Sequence, residues 1–196
     1  LALVAFASGC TSGEPIERTE FRVKGDRFQI NAGDGWGPFF PRGVNLSVGK
    51  PGRFPGELAA TEEDYLRWLK EIAAMNADTV RIYTLHHPLF YRAFARYNNE
   101  NPSKPLWLVQ GIWLDEFEDG EYMTESTEQI DEEIRYVVDA VYGNADIGPR
   151  YGKAHGFFDA DVSPWLFAWL PGHEMDGGKV EKSHEKYASF TEYDGN

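Results

Sequence analysis

Residues 78–85 read DTVRIYTL and lie between two segments whose apolar side chains recur at helical spacing, residues 61–76 and residues 88–95. β-Branched and apolar residues dominate the central stretch, which is typical of a β-strand. Thr61 begins a capping-box pattern at the start of the first helical segment, and Pro88 begins the second. The three segments therefore predict a helix, a buried strand and a second helix joined by short loops.

The same alternation of strand and helix extends along the chain in both directions. Residues 106–114 form a near-continuous apolar run, as expected of a strand buried on both faces. The other strand patterns are the second half of residues 39–48 and residues 165–170, and a third helical pattern covers residues 126–143. This alternation predicts an α/β fold in which helices pack outside a parallel sheet.

Three stretches depart from the alternation. Residues 19–30 alternate apolar and polar side chains around Gly25, which predicts a β-hairpin that could cap the base of a barrel. Residues 31–37 are rich in Gly and Asp and predict a turn. Residues 144–163 are rich in Gly, Asp and aromatic residues and predict an irregular insert.

Signatures of other α/β classes are missing from the sequence. No G-x-G-x-x-G or Walker-type phosphate loop follows a strand pattern, which disfavours a nucleotide-binding, doubly wound sheet. No G-x-S-x-G elbow occurs, which disfavours an esterase-like α/β hydrolase. The favoured architecture is a partial (β/α)8 barrel, with about the first four βα units, preceded by the hairpin.

The composition limits the possible partners. The 196 residues carry a net charge of −13, and no cluster of Lys and Arg appears. Phosphate backbones are bound by such clusters, so nucleic acid is not expected as a partner. We predict no cofactor and no metal site, because the spacing of His155, Asp159 and Asp161 does not suit zinc. Ca2+ bound in this Asp-rich insert is the alternative.

The first residues read LALVAFA, an apolar run far shorter than the roughly 20 residues that span a bilayer. Small residues then precede Cys10, the single cysteine, and the pattern resembles a bacterial lipoprotein signal peptide that lacks its start. Residues 1–10 are then the truncated signal, Cys10 is the acylated residue, and residues 11–18 are a tether to a folded part, residues 19–196. This predicts an exported lipoprotein, anchored to a membrane of the cell envelope. The alternative is an unmodified cysteine.

Polar side chains accompany the end of each strand pattern, and the carboxyl ends of the strands form the active site of a (β/α)8 barrel. The candidates are Asn45, Arg81, Tyr83, His86, Trp113, Asp115, His173 and Glu174. Trp rings stack on sugars, polar groups bind hydroxyls, and a carboxylic acid can protonate a departing glycosidic oxygen. The set therefore predicts a polysaccharide or oligosaccharide as the ligand.

Ordinary structural roles remain open for several of these residues. Arg81 could form a buried ion pair, and Glu174 could be a loop carboxylate or a charge at a helix N-terminus. Trp113 could belong to the core, as could Trp165. His86 and its neighbour in sequence could cap the helix that begins at Pro88. Asp115 and Glu116 are the alternative acids if Glu174 is not the catalytic one.

Three stretches together resemble a known clan of enzymes: FFPRGVNLS at residues 39–47, DTVRIYTLH at residues 78–86 and FAWLPGHEMD at residues 167–176. In order and interval they are similar to the first, second and fourth strands of the retaining glycoside hydrolases with (β/α)8 barrels. The resemblance covers about residues 37–176. It implies a glycosidase or transglycosidase that acts on a β-linked polysaccharide.

The resemblance also implies roles for individual residues. Arg81 matches the arginine that supports the nucleophile, and Glu174 matches the general acid/base at the end of the fourth strand. Independently of the resemblance, their places at the strand ends predict that Asn45, Tyr83, His86, Trp113 and Asp115 contact substrate. His173 stands where the clan has Asn, which implies a changed substrate or a loss of activity. A non-catalytic, carbohydrate-binding envelope lipoprotein is therefore the alternative function.

The clan's nucleophile is a Glu on the seventh strand, and the patterns here extend only to a fourth. We therefore expect the chain to be the amino-terminal half of such a barrel. Its open sheet edge would expose unpaired backbone groups and apolar helix faces. We expect the 196-residue piece by itself to be inactive and poorly soluble.

Overall fold

The computed structural model describes residues 19–31, 33, 35–115, 126–172 and 174–189. Strands and helices alternate along most of it, as the apolar periodicity predicts. In chain order the elements are β1 (Glu20–Lys24), β2 (Arg27–Asn31), β3 (Trp36–Phe39), β4 (Gly43–Leu46), α1 (Glu62–Ala74), β5 (Thr79–Ile82), α2 (Pro88–Glu100), β6 (Trp107–Ile112), α3 (Thr127–Val141), β7 (Ala145–Ile147), β8 (Gly156–Phe158), β9 (Leu166–Pro171) and α4 (Gly177–Lys186).

The centre of the fold is a parallel sheet of four strands in the order β4-β5-β6-β9. Helices α1, α2 and α3 lie in the connections between successive strands, so each strand starts again at the same end of the sheet. This confirms the prediction of a mixed α/β fold with a parallel sheet. Within the described residues, β4 and β9 each have one edge without a neighbouring strand.

Capping interactions at α1 and α2 fix where these helices begin. At α1 the Thr61 hydroxyl accepts the Asp64 backbone N–H at 3.2 Å, and the Asp64 carboxylate accepts the Thr61 N–H at 3.1 Å. Ahead of α2, Nδ1 of His87 accepts the Leu89 N–H at 3.3 Å. This geometry supports the capping interpretation of His87.

The hydrophobic core lies between the sheet and its helices. Val80 and Ile82 of β5 are fully buried on the helix-facing side of the sheet. The helices cover them with side chains that recur every three or four residues, because that spacing places them on one helix face. These are Tyr65, Leu69, Ile72, Phe90, Tyr91, Phe94, Val137 and Val141.

A three-stranded antiparallel ribbon, β1-β2-β3, covers the amino end of the sheet. The ring of Phe167, near the start of β9, lies 4.9–5.1 Å from the rings of Phe21, Phe28 and Phe39. The ring of Phe21 also meets Trp107, the first residue of β6, edge-on at 5.1 Å. The ribbon therefore leaves the carboxyl ends of the strands open.

The structure adds elements that periodicity does not predict. The expected turn at residues 31–37 is tighter than predicted, because the Asn31 side-chain oxygen accepts the N–H groups of Gly33 and Gly35, so the chain returns as β3. The irregular insert contains the short hairpin β7-β8. Strands of three residues are too short for a periodic signal. Among the described residues, every helix is too short or too polar to serve as a transmembrane span.

Candidate functional site

A cavity of about 600 Å3 opens at the carboxyl end of the parallel sheet. This volume lies within the range of about 300–1,000 Å3 typical of small-molecule sites. Each of the four strands contributes to its wall through the residues that follow or end it. They are Ser47 and Val48 after β4, Tyr83 to His86 after β5, Trp113 and Asp115 after β6, and Glu174 after β9.

Arg81 and Asn45 lie beside this wall, on the sheet face opposite the helices. They occupy paired positions on β5 and β4, and Nη1 of Arg81 donates to the Asn45 side-chain oxygen at 3.5 Å. The Arg81 guanidinium also lies 4.7 Å from the ring centre of Tyr83, which faces the cavity. Tyr83 thus links Arg81 to the cavity that contains Glu174.

The backbone at Glu174 adopts a left-handed conformation with φ of 53°. Such a conformation is uncommon for a residue with a Cβ and often occurs at functional sites. The preceding turn is fixed to the sheet, because the Gly172 N–H donates to the Ile112 carbonyl at 3.2 Å. The Glu174 side chain is solvent-exposed on the cavity wall, in position to reach a ligand.

His86 contributes a fully buried imidazole to the cavity wall. Neither of its ring nitrogens has a hydrogen-bond partner among the described residues. The ring packs against Phe90, with centroids 4.9 Å apart, and near Tyr65. Burial in this aromatic surrounding lowers the pKa of His86 to about 3, so the imidazole is neutral at physiological pH. A neutral imidazole can both donate and accept a hydrogen bond.

We expect the protein to lose stability as the pH falls below about 6.5 because of His86. Its folded-state pKa of about 3 lies below the ordinary value of 6.5, so the unfolded chain binds the proton more tightly. The stabilisation is complete above pH 6.5 and is lost as the pH falls toward 3. The free energy of unfolding should fall by about 1.4 kcal/mol for each pH unit below 6.5, which amounts to about 2 kcal/mol at pH 5. Urea unfolding at pH 7 and pH 5 measures this difference.

His86→Phe provides the comparison, because phenylalanine fills a similar volume and does not titrate. The variant should lose this part of the pH dependence, whatever its stability at pH 7. His184→Gln, at an exposed position on α4, is the control and should behave as the wild type does. An unchanged pH dependence in His86→Phe would show that the buried imidazole is not its source.

A chain of ion pairs forms one side of the cavity. Nζ of Lys153 lies 2.6 Å from an Asp115 carboxylate oxygen and 3.8 Å from one of Glu133. The same Glu133 carboxylate accepts from Nη1 of Arg150 at 2.6 Å, with both side chains largely buried. The Arg150 guanidinium also donates to the Ala154 carbonyl. Together these contacts fix the loop 150–154 against α3 and the end of β6.

Sequence reasoning missed Glu133, Lys153 and Tyr151, although all three line the cavity. One signal for Glu133 exists in the sequence, because it falls on the buried stripe of α3 with Val137 and Val141. A carboxylate in an apolar stripe requires a cationic partner. Only the folded structure shows that these partners come from the insert, where Arg150 and Lys153 turn back toward α3.

Comparison of the chain with protein-family models, with curated proteins and with solved structures gives no significant match. Trp113 offers an aromatic surface, while Ser47, Tyr83 and His86 offer neutral hydrogen-bonding groups. Glu174 adds an exposed carboxyl. This mixture of an aromatic surface and neutral polar groups suits a polyhydroxylated ligand.

The remaining candidate residues from the sequence either lie outside the described residues or do not line the cavity. Cys10, Glu116 and His173 lie outside the described residues. Trp165 is packed against the hydrophobic core and is not part of the cavity wall, which agrees with its structural interpretation. Asp159 pairs with Arg92 at 2.7 Å, and this ion pair lowers the pKa of Asp159. No three His, Cys, Asp or Glu side chains of the described residues are grouped as metal ligands would be.

Proposed function

We propose that the chain is part of a glycoside hydrolase or transglycosidase that acts on a β-linked polysaccharide by a retaining mechanism. The observation that carries the proposal is the convergence of all four strand ends on one cavity, with Glu174, Trp113 and His86 in its wall. In this function Glu174 first protonates the departing glycosidic oxygen. It then takes a proton from the water or the sugar hydroxyl that replaces the leaving group.

Substrate binding is assigned to the remaining wall. Trp113 stacks on the apolar face of a sugar ring, and the neutral His86 imidazole hydrogen-bonds a hydroxyl. Tyr83, Asp115 and His173 complete the predicted contacts. Arg81, held by Asn45 and Tyr83, positions the nucleophile through its guanidinium.

We further propose that the sheet is half of a (β/α)8 barrel whose nucleophile is a Glu on the seventh strand. The open edges of β4 and β9 among the described residues support this arrangement, because a closed barrel pairs every strand on both sides. The three-stranded ribbon at the amino end supports it as well, since it covers the end opposite the cavity. A downstream sequence without such a Glu would remove the retaining mechanism.

The direct test is release of reducing sugar from a panel of β-glucans by the full-length protein. Release from at least one of them is the expected result. Binding without release would favour a non-catalytic, carbohydrate-binding envelope protein. One observation favours that alternative: within the described part of the wall, Asp115 and Glu133 form ion pairs with Lys153, which disfavours both as catalytic acids.

For the location we propose export and anchoring in the cell envelope through a lipid on Cys10. The support is the sequence pattern of apolar and small residues before this cysteine. Incorporation of a labelled fatty acid into the wild type, and its loss in Cys10→Ser, would test the anchor. Ser8→Ala keeps a small residue before the cysteine and is the control.

A further inference from the structure

Two exposed aromatic residues lie on loops that contribute to the cavity wall: Tyr151 lines the cavity, and Phe54 comes four residues before Leu58, which also lines it. The Tyr151 side chain is fully exposed, at 104%, and Phe54 is 80% exposed. Large aromatic rings in water lose the stabilisation that burial would give them, about 25 cal/mol per Å2. A ligand that crosses the two loops could cover both rings and recover part of this stabilisation.

The two loops meet directly. A Cβ added to Gly56 would lie 3.5 Å from the Cα of Gly152. Phe54 comes two residues before Gly56, and Tyr151 comes directly before Gly152. Leu58, Tyr151 and Gly152 also belong to the cavity wall. We call Phe54 and Tyr151 the aromatic rim, because each lies close in sequence to the contact between the two loops.

Both loops are tied to the folded core, so the rim is presented on fixed backbone. The ion pairs of Arg150 and Lys153 hold the loop that carries Tyr151. Lys50 pairs with Asp64 of α1 at the start of the loop that carries Phe54. A rigid aromatic platform loses little conformational entropy when a ligand covers it.

We propose that the aromatic rim binds a neutral β-linked glucan chain where it leaves the cavity, so that the site is built for polymers and not for short sugars. This rests on the proposed function. A cavity of about 600 Å3 holds only a short stretch of polysaccharide, and the next sugars must cross the mouth beside Tyr151 and Leu58. The net charge of −13 disfavours polyanionic chains, and the neutral hydrogen-bonding groups in the cavity wall suit an uncharged glycan.

The experiment compares the affinity of the full-length protein for soluble barley β-glucan and for a β-glucan trisaccharide. Tyr151→Ala should weaken binding of the polymer by about tenfold and weaken trisaccharide binding much less. Phe54→Ala should act in the same direction. Tyr151→Phe should bind as the wild type does, because the ring makes the contact. Phe157→Ala, at a 60% exposed aromatic outside the cavity wall, is the matched control.

The possible results distinguish the aromatic-rim proposal from the proposed function on which it rests. If the wild type binds both ligands and Tyr151→Ala binds the polymer normally, the rim proposal is wrong and the proposed function stands. Equal weakening for polymer and trisaccharide would also overturn the rim, because it would place Tyr151 at the innermost sugars. If the wild type binds neither ligand, the proposed function itself fails, together with the rim's glucan.

Discussion

Glu174→Gln should lower the rate of β-glucan hydrolysis by the full-length protein about a thousandfold, within the range of about 10²–10⁴ for general acid–base catalysis. Glutamine keeps the size and hydrogen-bonding reach of the side chain but cannot give up a proton to the glycosidic oxygen. The loss should appear in kcat and in kcat/KM, because the missing proton transfer belongs to the transition state. Reducing-sugar release measures the effect.

A substrate with an activated leaving group makes the test specific for acid catalysis. An aryl β-glycoside whose phenolate leaves without protonation should lose far less of its cleavage rate in Glu174→Gln than the glucan does. Glu181→Gln, at an exposed position on α4, is the control and should be fully active. Equal glucan hydrolysis by the wild type and Glu174→Gln would remove Glu174 from the mechanism.

Gly111→Ala should lower the free energy of unfolding by about 3 kcal/mol, a large effect for the addition of one methyl group. Gly111 lies in β6 where the backbone of β5 passes over it. A Cβ there would lie 2.5 Å from the Ile82 carbonyl oxygen and closer still to that of Tyr83. Backbone atoms cannot rotate away as a side chain can, so the two strands must separate. Urea unfolding measures the loss.

The same substitution should also disturb the cavity, because Tyr83 and Trp113 follow the point of separation on β5 and β6. Gly37→Ala is the matched control: it also lies in a strand, but no atom comes within 4 Å of an added Cβ. Its stability should change little. Wild-type stability in Gly111→Ala would contradict the close approach of β5 and β6 on which the shape of the cavity depends.

Local sequence patterns were enough to predict the main helices and strands. Val80 and Ile82 alternate with Arg81 in a strand whose apolar side faces the helices, and the helical spacing of Tyr65, Leu69 and Ile72 was correctly interpreted. The predicted ends of the strands and helices were less accurate than their positions. β5 ends at Ile82, although the apolar pattern continues to Leu85, because residues 83–86 line the cavity instead of pairing in the sheet.

The sequence predicted only those residues of the candidate site that follow the ends of the strands. Tyr83, His86, Trp113, Asp115 and Glu174 all line one cavity, as expected if parallel strands point their carboxyl ends the same way. The roles of these residues remain predictions. The pairing of Lys153 with Asp115 joins residues 38 positions apart and left no periodic signal in the sequence.

The sequence by itself determined the alternating α/β order, the parallel sheet and the set of polar residues at its carboxyl end, because these depend on spacing between near neighbours in the chain. Tertiary structure alone decided that the loop 150–154 forms part of the cavity wall through its ion pairs with Glu133, that the buried His86 ring has no hydrogen-bond partner among the described residues, and that Gly56 meets Gly152. Those features depend on contacts between distant segments, and such contacts form only when the whole core has packed.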